Sequence, residues 1–175
     1  KQAPGTLTQA AMATAVQTGR GGLGTIFVWA GGNGRDLGDN SNYDGFANSI
    51  YSIAVAAIQF NGQQVFESEL GANLIVSAPS DDGVTGIVTT DLTGNNGWND
   101  GSEIPQTDYT NTFGGTSASC PMVAGCVALL LESKPTLGWR DVQEILIRSA
   151  AKNHPGDGDW SNNAAGFHFN HKYGA

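Results

Sequence analysis

Cysteine is nearly absent from this chain of 175 residues: there are two, Cys120 and Cys126. Six positions apart on one predicted helix, they stand roughly 9 Å apart along its axis and point to different sides, and a disulfide needs Cα atoms within about 7 Å. No bridge between them is expected. Both read as small buried helix residues, and the count leaves the redox compartment open. Charge is scarce as well, at 14% of residues, and basic charge most of all, with 8 Lys and Arg against 16 Asp and Glu for a formal net charge of -8. That balance repels a phosphate backbone and attracts basic peptides, so nucleic acid is not expected as a partner. No apolar run approaches the ~20 residues of a membrane span, which leaves a chain long enough for one sizeable core. Also missing at the start, Lys1-Gln2-Ala3-Pro4-Gly5, are an initiator methionine and the apolar stretch of a signal peptide. The expectation is a processing point or fragment boundary, with a segment upstream.

What is abundant is glycine, 25 residues, about twice the usual frequency. Tight turns and close backbone packing follow, as in a loop-rich hydrolase more than a helical scaffold. Leu7, Ala10, Ala11 and Ala15 recur at helical spacing and predict a helix over Thr6 to Arg20, closed by Gly21-Gly22. Thr25 to Ala30 and Ser52 to Ile58 are short continuous apolar runs that predict fully buried parallel strands, with weaker strands at Asn73 to Ala78 and Gly86 to Thr90. Asp91 to Asp108 reads as a long polar loop, and Thr116 to Glu132 and Gly138 to Ala150 as two helices around Pro135. The tail after Asn153 reads as irregular. Helices alternating with buried strands predict an α/β fold with a mostly parallel sheet.

Within that frame, Phe113-Gly114-Gly115-Thr116-Ser117-Ala118-Ser119-Cys120-Pro121-Met122-Val123-Ala124-Gly125 carries the most chemistry. Two glycines allow a tight turn, Pro121 suits a first helical turn, and the apolar run from Cys126 to Leu131 continues the helix. Ser117 is thereby placed at the positive end of a helix dipole, where its N–H can face a developing oxyanion. A second feature, Trp29-Ala30-Gly31-Gly32-Asn33-Gly34-Arg35, follows a buried strand and presents Asn33 where ligands gather, at the carboxyl end of a parallel sheet. Alone, an asparagine among glycines reads as a turn residue. A phosphate-cradling loop is a poor fit, since neither glycine cluster has the required lysine or strand-turn-helix order. An esterase is a poor fit too, because Gly115-Thr116-Ser117-Ala118-Ser119 lacks the second glycine of a nucleophile elbow.

The Ser117 segment resembles the active-serine segment of subtilisin-like serine proteases, most closely the kexin and furin branch. Gly38-Asp39-Asn40-Ser41-Asn42-Tyr43-Asp44-Gly45-Phe46-Ala47-Asn48-Ser49-Ile50-Tyr51 is a second long match, especially to kexin. The resemblance implies a three-layer subtilisin-like fold of which this chain is roughly the later half. It also implies a calcium-dependent serine endopeptidase cutting after Lys or Arg. Ser117 is then the nucleophile, Asn33 the oxyanion donor, Asp44 the carboxylate of the specificity pocket, and Asp39 and Glu69 ligands of Ca2+. Kexin-like enzymes have a cysteine at the place of Ser41 and a partner near Gly71; both are lost here. Gln2 stands where furin has an acid that reads the residue four before the cut, and Phe46 where furin has tyrosine, so preference beyond the basic residue should be looser. Of the triad only the serine is present: His154, His168 and His171 all lie downstream of it and read as structural or surface residues. The resemblance therefore places the catalytic Asp and His in an upstream fragment of the same precursor, and the protein outside the cell, in the periplasm or in the secretory pathway. The rival of a different class is a non-catalytic binding or regulatory module built on the same fold.

Overall fold

The computed structural model describes residues 3–175, so Gln2 lies outside the described residues. Helix α1 (Thr6–Gly22) buries Met12 and Val16 and leaves helical geometry at Gly19, Arg20 and Gly21, slightly before the expected end. Arg20, at φ 53, turns its guanidinium onto the carbonyls of Gly24, Pro135 and Leu137 and so fixes the entry to the first strand. Strands β1 (Phe27–Ala30), β2 (Ser52–Ile58) and β3 (Leu74–Pro79) form a parallel sheet in the order β1-β2-β3. Trp29 lies opposite Ala54, and Val55 opposite Val76.

A strand covered on both faces needs no polar alternation, and β2 is buried at every residue. On one face Ile53 and Val55 pack, with Val76 and Ala78, against Val123, Val127 and Val142. On the other, Ala54 and Ala56 meet Ala47, Leu74 and Trp29, and the Trp29 ring stacks on Phe46 with centroids 4.7 Å apart. The expectation of full burial fails for β1, whose residues are only half-buried, because it is an edge strand in this chain.

After β3 an antiparallel pair, β4 (Ile87–Thr90) and β5 (Tyr109–Phe113), brackets the long loop and leads into helix α2 (Thr116–Ser133). Helix α3 (Trp139–Ser149) starts with Asp141 accepting the Gly138 N–H at 2.8 Å, and Trp139 packs edge-on against Tyr51. Helix α2 is long and apolar enough to cross a membrane, nearer to a span than the sequence suggested. One face of it packs on the sheet: Ser119 bonds the carbonyl of Ala78 at 2.8 Å, and Val123 and Val127 enter the core. Only that face is covered. Pro121, Ala124, Gly125, Cys126, Ala128 and Leu129 are exposed, which corrects the expectation that both cysteines are buried: Cys120 is half-buried and Cys126 exposed, each a free thiol.

The tail is more ordered than expected, with two short strands, β6 (Ser161–Asn162) and β7 (His168–Phe169), paired antiparallel. It is pinned by Asp157, which accepts from Lys172 Nζ at 2.5 Å and from Asn170 Nδ2 at 3.0 Å. The Lys172 contact, aided by backbone and Asn170 hydrogen bonds, holds the Asp157 carboxyl down at about 2. A folded-state value below the unfolded one stabilises the fold above the ordinary carboxylate range, and the contribution is lost as pH falls toward 2. Asp157→Asn should therefore cost about 1–2 kcal/mol in denaturant unfolding at pH 7. The gap from the wild type should close between pH 4 and pH 2; a gap independent of pH would contradict the assignment.

Candidate active site

The sheet's C-terminal edge is where Asn33 meets the start of α2. Beyond β1, Gly32 adopts φ +113, and a Cβ there would sit 2.4 to 2.6 Å from the Glu69 carboxylate, so only glycine fits. The turn delivers Asn33 to the start of α2. Its Oδ1 accepts the Thr116 N–H at 2.8 Å and the Thr116 hydroxyl at 2.9 Å, while that hydroxyl accepts the Gly32 N–H at 3.1 Å. Thr116 is completely buried.

A second clamp comes from the end of β3. Asp81 Oδ1 accepts the Gly115 N–H at 2.7 Å, and the Ser80 hydroxyl sits 2.8 Å from the Gly115 carbonyl and 3.0 Å from Asp81 Oδ1. Gly115 itself, at φ +66, faces Asn33: a Cβ there would lie 2.9 Å from Asn33 Nδ2. The α2 N-terminus is thus held from β1 on one side and β3 on the other. Ser80, Asp81 and Thr116 were not singled out from the sequence. Thr116 lies inside the serine motif, but nothing local marks Ser80 or Asp81 as its supports.

Ser117 is the second residue of α2 and is exposed. Its N–H belongs to a helix's first turn, where backbone donors have no intrahelical acceptor, and the dipole there favours negative charge. Pro121 falls in the second turn, not the first as expected, and its missing N–H leaves the Ser117 carbonyl without its i+4 donor. With Asn33 Oδ1 committed to Thr116, the amide nitrogen is the end of the side chain that faces Gly115.

The expected metal ligands also come together. Glu69, 1% exposed, accepts the Gly34 N–H at 2.9 Å; Asp39 accepts the Asn40 N–H at 2.8 Å. Measured from the Cβ position of Gly34, Asp39 Oδ2 is 3.4 Å away and Glu69 Oε1 3.2 Å. Two carboxylates beside one turn are hard oxygen donors, fewer than the about six to eight oxygens that calcium takes. Among the described residues no third Asp, Glu, His or Cys joins them. Asp44 is half-buried, with Oδ1 accepting the N–H groups of Phe46 at 2.9 Å and Ala47 at 3.0 Å, so one oxygen is fixed by the backbone. Ser41 and Gly71 do face each other, Ser41 Cβ lying 2.9 Å from a Cβ built on Gly71, and Asn73 Nδ2 bonds Ser41 Oγ at 2.9 Å in place of a covalent link. The three histidines are engaged in the tail: His154 with Asp157, His168 edge-on to Trp160, and His171 Nδ1 3.1 Å from Asp159.

Among known proteins, the sequence profile of the subtilase family matches residues 1–175. The chain belongs to the subtilase family. Curated subtilase relatives point to the kexin branch. The dibasic-processing endoprotease of Yarrowia lipolytica is 41% identical over 98% of this chain and 17% of its own length. The human proprotein convertase subtilisin/kexin type 5 is 39% identical over 98% of this chain and 9% of its own. The chain thus spans under a quarter of these relatives. A solved structure, the serine protease of Aeromonas sobria, superposes with a TM-score of 0.85 over 99% of this chain and 38% of its own at 23% identity, which shows the shared fold.

The Gly32 constraint can be measured. In the full-length protein Gly32→Ala should cost about 2–3 kcal/mol by denaturant unfolding, because it combines a left-handed φ with collision against the Glu69 carboxylate. Gly38→Ala, at φ +75 with nothing within 4 Å, should cost only about 1 kcal/mol. Equal costs would mean that Glu69 does not hold the turn.

Proposed function

We propose that this chain supplies the nucleophile, the oxyanion donors and the specificity carboxylate of a calcium-dependent serine endopeptidase that cuts after Lys or Arg. The observation that carries the reading is the exposed Ser117 at the α2 N-terminus with the Asn33 amide clamped beside it through Thr116. Ser117 Oγ attacks the scissile carbonyl, and the oxyanion that forms accepts from Asn33 Nδ2 and the Ser117 N–H. The Ser117 proton passes to an imidazole and from it to the leaving amine. That imidazole and its Asp partner come from an upstream segment of the same precursor. The half-buried β1 edge and the apolar open face of α2 around Ala124, Ala128 and Leu129 give such a segment a place to pack.

Asp44 pairs its free carboxylate oxygen with the basic side chain before the cut, a charge-assisted contact that neutral side chains cannot make. Asp39 and Glu69 would give oxygen ligands to calcium, whose chemistry here is to join their two loops. The negative charge of the chain favours basic peptides, and the reading places the protein in the secretory pathway or outside the cell.

A non-catalytic module on the same fold is the second reading, motivated by the engagement of all three histidines elsewhere. A fluorophosphonate probe separates the two in the full-length protein. The wild type should label at Ser117 and Ser117→Ala should not; an unlabelled wild type leaves the binding module. Asp44→Asn should lower kcat/KM for an Arg substrate by about 100-fold or more while changing that for a neutral residue at the same position less than about threefold. Equal losses for both substrates would remove Asp44 from the pocket.

A further inference from the structure

Strands β4 and β5 and the loop between them enclose a cavity of about 580 Å³ that the mechanism above does not use. Its walls include Trp98, Phe113, Thr89, Thr110 and Thr112, and it extends to Gly114. Gly114 and Ser117 are three peptide bonds apart, so their Cα atoms lie within about 11 Å whatever path the backbone takes. An extended peptide advances about 3.3 Å per residue, which brings the cavity within roughly three residues of the bond under attack.

Topology decides which side of that bond it serves. Asn33 and Asp44 belong to the connection between β1 and β2, whereas the β4–β5 pair follows β3 at the opposite edge of the sheet. The nucleophile segment lies between, with Thr116 held by Asn33 and Gly115 by Asp81. A substrate whose basic side chain reaches toward Asp44 therefore runs its departing half toward the cavity.

The lining chemistry selects apolar groups. The hydroxyls of Thr110 and Thr112 are both committed to the Glu103 carboxylate, at 2.7 and 2.9 Å, which leaves their methyl groups as wall. Trp98 is 80% exposed, an unusual state for an indole, yet its backbone is fixed by its neighbour. The side chain of Asn99, completely buried, donates to the carbonyls of Ile104, Gln106 and Tyr109 and accepts from Gly101 and Glu103, while its N–H bonds Asp91 at 2.7 Å. A ring mounted on so constrained a loop loses little freedom when it is covered.

We propose that this cavity binds a large apolar side chain, aromatic or branched aliphatic, from the substrate segment immediately after the scissile bond, and that Trp98 sets the preference. The proposal rests on the endopeptidase reading and adds a second specificity element to it.

The test uses the full-length protein and a peptide series with Arg before the cut and Gly, Asp, Leu, Phe or Trp placed one, two or three residues after it. At one of the three positions kcat/KM should be about tenfold or more higher for Phe, Trp or Leu than for Gly. In Trp98→Ala that ratio should fall to within about twofold, and Trp98→Phe should restore most of it; each ratio is internal to its variant, so a smaller active fraction does not affect it. A flat profile in the wild type, or a preference that survives in Trp98→Ala, overturns the proposal. If the wild type takes no fluorophosphonate label at Ser117, the endopeptidase reading fails and this proposal with it; labelled protein with a flat profile removes the cavity's role alone.

Discussion

Thr116 is the joint on which this arrangement turns. Completely buried, it makes three hydrogen bonds to the turn after β1, two into Asn33 Oδ1 and one from the Gly32 N–H. Each has a separate consequence. The bonds to Oδ1 orient the Asn33 amide so that its nitrogen is the end left over; the bond from Gly32 fixes the turn against which Glu69 packs. The helix that carries Ser117 is therefore located by the same contact that aims its neighbouring donor. A buried threonine of this kind has no apolar substitute, because removing its hydroxyl would strand the Gly32 N–H as well as loosen the asparagine.

Converging acids form the second constraint on the same turn. Asp39 and Glu69 approach one point beside Gly34, and Glu69 also packs against Gly32. The short connection from β1 is thus pressed between a carboxylate pair and a helix N-terminus. The two surroundings prefer opposite charges: a helix N-terminus favours an anion, and a pair of neighbouring carboxylates disfavours one. Such opposed preferences a few residues apart are workable because the rigid, glycine-rich backbone keeps them apart.

Much of the architecture was legible in the sequence. The apolar runs at β1 and β2 were readable because they are continuous, the first of them between Gly24 and Gly31, and the helix after Ser117 because the apolar run from Cys126 to Leu131 continues it. What failed has physical reasons. Tyr109–Phe113 has three polar residues in a row between two aromatics, in a two-stranded pair with one buried position, so it carries no core signal. Cys126 sits in an apolar run that reads as buried on all sides, although the helix covers only one face here. Ser117 and Asn33 could each be marked as chemically suited, but the hydrogen bonds of Asn33 to Thr116, 83 positions away, and the supporting part of Ser80 and Asp81 after β3, are properties of the folded sheet alone. Composition identified residues 91–108 as polar loop; it did not reveal that the side chain of Asn99 organises it.

That loop leaves and rejoins the fold where Thr90 pairs with Tyr109. Its order comes from its own Asp, Asn and backbone groups, including Asp108 with Gly94 and Asp91 with Asn99. No residue of the sheet's hydrophobic core belongs to it. Closing a segment of different length at the same two ends changes the entropy of the chain only slowly. Lineages could thus exchange the insert wholesale, diversifying what is recognised while the bond-breaking groups stay untouched.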